Sequence, residues 1–277
     1  MLSALLIVFR EVIEAGLIVG IVLAATQGVP RRERAVGGGV LAGVLGACLV
    51  AAFAGELAAL FQGNGQELFN ASILLLAVTM LTWHNVWMAS HGREMARELK
   101  AAGHDVVTGK RTLAALGVVV GVAVLREGSE VVLFLYGIAA QGGTTNAALL
   151  AGGALGLAAG AAVSALMYFG LLTIPAARLF QVTSGLITLL AAGMAAQAVL
   201  FLQNGGYINA LTGTIWDTSW LLKEDSIPGR LLHTLIGYVQ APDGAQILAY
   251  LATIAAILIL MRLVGKPVSR TRPQPAE

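Results

Sequence analysis

The sequence predicts an all-α polytopic membrane protein. Seven transmembrane helices form two inverted three-helix repeats plus a seventh helix, with the N-terminus outside and the C-terminus cytoplasmic. Three observations predict this. The 277-residue chain is 57% hydrophobic and 12% charged, about half the charge of a soluble domain. Its mean hydropathy is +0.82, carried by recurring apolar runs of about 20 residues, the length that crosses a bilayer. A charged motif inside the first run returns 116 residues later, with three spans between.

Apolar windows place the helices at 2–26, 35–61, 67–90, 113–140, 147–172, 180–203 and 245–264. No long period-2 alternation appears in the sequence, which argues against a β-barrel. The first run is not a secretory signal: its first charge, Arg10, lies inside the apolar stretch, which continues to Ala25. It reads as a retained helix. Cys48 is the only cysteine, so an intrachain disulfide and a thiolate metal cluster are both excluded. Among Ala, Leu and Val it reads as a small apolar filler.

Orientation follows from the loops. Segments 27–34, 91–112, 173–179 and the C-terminal end carry thirteen Lys and Arg, whereas 62–66, 141–146 and 204–244 carry only Lys223 and Arg230. The positive-inside rule puts the first set in the cytoplasm. The chain thus divides into a first repeat (1–90), a cytoplasmic amphipathic loop (91–112), a second repeat (113–203), an extracytoplasmic loop (204–244), the seventh helix (245–264) and a disordered Pro-rich tail (265–277). Glycines four apart (Gly16/Gly20, Gly39/Gly43, Gly117/Gly121, Gly156/Gly160) predict closely packed helix pairs.

The motif is REVIE at 10–14, repeated as REGSE at 126–130. GGGVLAGVLGA at 37–47 resembles AGGALGLAAGA at 151–161 with an offset of 114, while the third helices show no visible match. Three spans is an odd number, so the second copy enters the membrane from the opposite side. Many secondary transporters are built this way, with the substrate at the midplane. Arg10 to Glu14 lie about 12–18 Å along their helix, near the middle of a core about 30 Å thick.

Residues three and four apart share a helix face, so Glu11 projects with Glu14, and Glu127 with Glu130. Each intramembrane charge costs roughly 2.5–3.5 kcal/mol, and six left unpaired would cost about 15–20 kcal/mol. They must face one another or water. A salt-bridge core accounts for part of this. Four carboxylates against two guanidinium groups still leave two negative charges, which a cation or protons must balance. Carboxylate oxygens suit Mg, Ca, Mn or iron by ligand type, and the surplus of two matches a divalent ion most directly.

Two Arg-Glu-x-x-Glu motifs in the first and fourth of seven helices resemble the oxidase-dependent iron permeases, the fungal high-affinity iron permease and the bacterial EfeU-type importer. The resemblance extends through TSGLITLLAAGMAAQ, WDTSWLL and GRLLHTLIGYVQAPDGAQILAY. The usual Arg-Glu-Gly-Leu-Glu spacers are replaced by Val12–Ile13 and Gly128–Ser129, with the charged positions intact. The resemblance implies import of ferric or ferrous iron through Glu11, Glu14, Glu127 and Glu130, with Arg10 and Arg126 orienting or balancing them. It implies iron as transported substrate with no organic cofactor, a multi-pass location in the bacterial inner (plasma) membrane, and an extracytoplasmic iron donor, oxidase or peroxidase as partner. The 204–244 loop, with Asp217, Glu224, Asp225 and Asp243, is the candidate docking surface.

Further candidates line an access route or pathway. Glu56 sits inside an apolar run near the outer end of the second helix, and Glu67 opens the third, where a carboxylate is favourable in any case. His84 and Asn85, in LTWHNVWM, face either a pathway or a neighbouring helix. Trp83 and Trp87, one turn apart, read as packing or interface anchors. The alternatives are a carrier of another hard divalent metal such as manganese by the same site, an intramembrane enzyme with paired carboxylates, or a metal-free proton channel. The sequence contains no HExxH, GxSxG or phosphate-binding Gly loop, which argues against the enzyme. Nothing in it suggests nucleic-acid binding.

Overall fold

The structure, a computed structural model, describes residues 1–60, 66–140, 144–170, 176–224 and 226–264. It is all-helical: α1 Leu2–Ala25, α2 Arg32–Leu60, α3 Gln66–Val107, α4 Leu113–Ala140, α5 Asn146–Tyr168, α6 Ala176–Asn204, α7 Ile227–Ile236 and α8 Gly244–Val264. Five of these, within α2, α3, α5, α6 and α8, are long and apolar enough to cross a membrane. α1 and α4 are as long, at 24 and 28 residues, but each carries three charges. The tail 265–277 lies outside the described residues.

Two elements differ from the sequence reading. The 91–112 segment does not form a separate helix, because α3 runs unbroken for 42 residues. A polar stretch leaving an apolar one reads as a loop by hydropathy, yet it holds no proline, and its Ala, Glu, Lys and Arg are good helix formers. The helix stops where Gly109 turns left-handed at φ 74. The 204–244 segment is not all loop either. It contains α7, capped by Ser226 Oγ accepting from the Gly229 amide at 3.1 Å and closed by Gly237 at φ 69. α8 begins with a reciprocal cap: the Gln246 amide donates to Asp243 Oδ1 at 2.8 Å, and the Asp243 amide to Gln246 Oε1 at 3.1 Å.

α1 packs on α5, α2 on α4, and α3 on α6, with α8 against α6 and α3. The glycines make the first two pairs close. A Cβ on Gly43 would lie 2.7 Å from the Gly121 carbonyl oxygen, and one on Gly156 would lie 2.6 Å from that of Leu5. The contacts correspond atom for atom: Gly43 meets Gly121 O, Val124 Cβ and Leu125 N, and Gly156 meets Leu5 O, Val8 Cβ and Phe9 N. Those partners are each 116 apart. Gly39 with Gly117, and Gly152 with Met1, continue the pattern. The small residues themselves are 113 apart (39 and 152, 43 and 156), one less than the sequence alignment of the second helices. Contacts advance together along both chains, so α1 runs parallel to α5 and α2 to α4.

Two apolar cores lie at opposite ends of the bundle. One joins Ala4 and Ile7 of α1, Leu74 and Leu81 of α3, Phe134 and Ile138 of α4, and the middle of α6. The other joins Ile18 and Val22, Leu99 and Val106, and Leu116 to Val124. The beginning of α1 thus shares a core with the end of α4, so these two helices are antiparallel. The motif charges of α1 and α4 and His84 of α3 fall between the two cores.

Candidate metal centre

Arg10, Glu11 and Glu14 are all buried on α1, as are His84 on α3 and Glu127 and Glu130 on α4. Glu11, His84, Glu127 and Glu130 each present one ligand atom, and these four atoms lie within 4.8 Å of one another. Antiparallel α1 and α4 bring the two motifs face to face, and α3 inserts the imidazole between them.

The pairings are unequal. Arg10 donates from Nη1 to Glu11 Oε1 at 3.0 Å, and its Nε stands 3.1 Å from Glu14 Oε1. His84 bridges the two motifs, with Nε2 3.1 Å from Glu14 Oε2 and Nδ1 against Glu130 Oε2. Arg126 donates from Nε to Glu130 Oε1 at 3.1 Å. Two oxygens stay unsatisfied: Glu11 Oε2 and Glu127 Oε2 are buried without a hydrogen bond. Buried carboxylate oxygens without donors carry a desolvation penalty that a cation would remove.

Glu11, Glu127 and Glu130 converge. Glu14 stands one step back, between Arg10 and His84. His84, read from sequence only as a pathway candidate, sits inside the converging set. A lone histidine has no spacing partner to mark it; the signal was its place in an apolar run. Asn85 turns to α6 and accepts from Ser184 Oγ at 3.2 Å. Glu67 is half-buried beside Gly205, about 25 Å before His84 along α3. The Glu56 side chain lies outside the described residues. Ser129 bonds its own helix, donating to the Leu125 carbonyl at 2.7 Å.

The two arginines differ more than their motifs do. Arg10 is 1% exposed at its side chain and Arg126 39%. The Arg126 guanidinium lies over the Trp87 ring, 4.6 Å from its centroid, and Trp87 in turn stacks on His91. A cation–π contact of this kind is worth about 0.5–2 kcal/mol. Trp87→Ala is therefore expected to lower the thermal unfolding midpoint of the purified protein by an amount matching about 0.5–2 kcal/mol, with Trp87→Phe losing less. An unchanged midpoint in Trp87→Ala would show that the ring does not hold the guanidinium.

The chain is 31% identical over 261 residues to the "Ferrous iron permease EfeU" of Yersinia pestis, covering 93% of this chain and 92% of the relative. It is 32% identical over 278 residues to the permease of the same name from Escherichia coli O6:H1, covering 96% and 98%. The protein so named in Shigella sonnei is equally similar. No solved structure matches the chain. Its matched relatives are named as permeases rather than enzymes, and five of its helices are long and apolar enough to cross a membrane. Residues 1–270 match the Iron permease FTR1 family, and the chain belongs to it.

Proposed function

We propose that this protein carries ferrous iron through a midplane site built by Glu11, His84, Glu127 and Glu130, in the bacterial inner (plasma) membrane. One observation carries the reading: four donor atoms from three helices converge within 4.8 Å, buried between two apolar cores. Seven helices cross the bilayer in this reading, α7 lying on the extracytoplasmic side. They form two inverted repeats, which the matched contacts of Gly43 and Gly156 support. The N-terminus is outside, and the arginine-rich segment after α1 and the basic end of α3 face the cytoplasm.

His84 narrows the metal. Carboxylates alone suit Mg and Ca as well as iron, but an imidazole donor favours transition metals. Four carboxylates against two arginines leave a surplus of two, which a divalent ion neutralises. The matched relatives are named as ferrous permeases. Glu14 and Arg10 hold the ligand helix and orient His84. Rocking of one repeat against the other exposes the site to each side in turn. An extracytoplasmic iron donor docks at 204–244, where Trp216, Trp220 and Leu221 stand exposed.

The test is a metal panel in proteoliposomes. Ferrous iron should enter fastest, with manganese slower and magnesium and calcium neither entering nor competing. Manganese faster than iron would favour the hard-divalent alternative. Proton flux independent of any metal would overturn the reading.

A further inference from the structure

A cavity of about 570 Å3 lies between α1, α3 and α5, away from the metal centre's ligands. Its walls are polarised. Gly16, Leu17, Gly20 and Ile21 of α1, with Met167 of α5, make an apolar trough. Lys100 and His104 of α3 close one end. They are four apart and so share a helix face. The Gly103 backbone packs on Ala25, which sets the basic pair level with the end of α1. The apolar end reaches Gly16, about 13 Å further along α1. At Gly16 the trough closes, because α1 and α5 pack so tightly there that a Cβ would strike Ser164.

We propose that this slot binds one anionic phospholipid, its phosphate at Lys100 and His104 and an acyl chain along α1 and α5. The polarity selects the occupant. A free metal cation would not be drawn to an ammonium, and a small free anion would leave the apolar trough uncovered. A lipid with a negative headgroup matches both ends. Basic pockets between helices on the lysine- and arginine-rich side recognise such headgroups, at about 1 kcal/mol per basic residue, which is about fivefold in affinity. The slot adjoins the ligand helix two residues beyond Glu14, yet lipid binding needs no iron.

The test uses the full chain, delipidated in mild detergent and titrated with phosphatidylglycerol or phosphatidylcholine, with retained lipid counted by native mass spectrometry. Phosphatidylglycerol should be retained in preference. Lys100→Gln should weaken it about fivefold, Lys100→Gln with His104→Gln further, and Leu17→Trp should block it while the unfolding midpoint of lipid-free protein holds. Equal retention of phosphatidylcholine, or phosphatidylglycerol retention unmoved by Lys100→Gln, would overturn the proposal. So would full displacement by excess inorganic phosphate, which would mark a free-anion site. Iron uptake plays no part in the readout, so failure here leaves the transport reading untouched.

Discussion

Glu127→Gln is expected to abolish iron uptake while making the metal-free protein more stable. Glu127 Oε2 is buried with no hydrogen bond, and Glu127 forms none of the close ion pairs seen at Glu11, Glu14 and Glu130. It is the carboxylate whose charge the protein itself compensates least. An amide of the same shape removes a buried negative charge beside Glu11 and Glu130, so the unfolding midpoint should rise. The same change removes a ligand, and uptake of radioactive iron into vesicles should fall about 100-fold or more. Glu130→Gln should also stop uptake but without the gain in stability, because it leaves Arg126 and His84 short of a partner. Glu14→Gln, one step from the converging atoms, should reduce uptake by about tenfold through the His84 position. Normal uptake in Glu127→Gln, or a lowered midpoint, would contradict the assignment. Loss of activity with a gain in stability is the mark of a site kept strained for function.

The second large effect concerns the two arginines. Arg10→Met strips a fully buried cation from Glu11 and Glu14 and should cost about 3–5 kcal/mol, the penalty of an uncompensated buried charge. Adding Glu14→Gln should restore a good part of it. Arg126→Met, at an equivalent motif position but 39% exposed, should cost less, about 1–2 kcal/mol, including the lost contact with Trp87. Thermal unfolding of the four purified proteins reads the difference. Equal losses at Arg10 and Arg126 would show that exposure does not separate them.

Much of this site could be read from sequence because charge inside an apolar run is so costly that position alone is informative. Arg10, Glu11, Glu14 and their repeats declared themselves that way, and their spacing placed them on shared faces. The glycines four apart marked helices that pack closely but not which ones meet; the α1–α5 and α2–α4 crossings came from the packing, and the register of the second helices proved to be one residue shorter than the alignment suggested. His84 was harder. Hydropathy ended the third span at residue 90, which put the imidazole near the membrane boundary rather than at the ligand level. Only the packing of α3 against α1 and α4 brings it between Glu14 and Glu130. That Glu11 joins the converging atoms while Glu14 stands one step back was also beyond spacing, since both glutamates share a face; the contacts of Arg10 and His84 separate them. The continuation of α3 to Val107 was hidden because hydropathy reports on solvent, and a helix can leave lipid without ending.

That continuation has a mechanical side. A 42-residue helix is about 63 Å long, roughly twice the apolar thickness of a bilayer. Its far arm and its imidazole belong to one rod with no hinge between them. A partner that grips residues 91–107 and tilts the arm must swing His84 in the opposite sense, prising it from Glu14 or pressing it toward Glu130. In the proposed transport reading, that tilt would change the hold on the iron from outside the membrane.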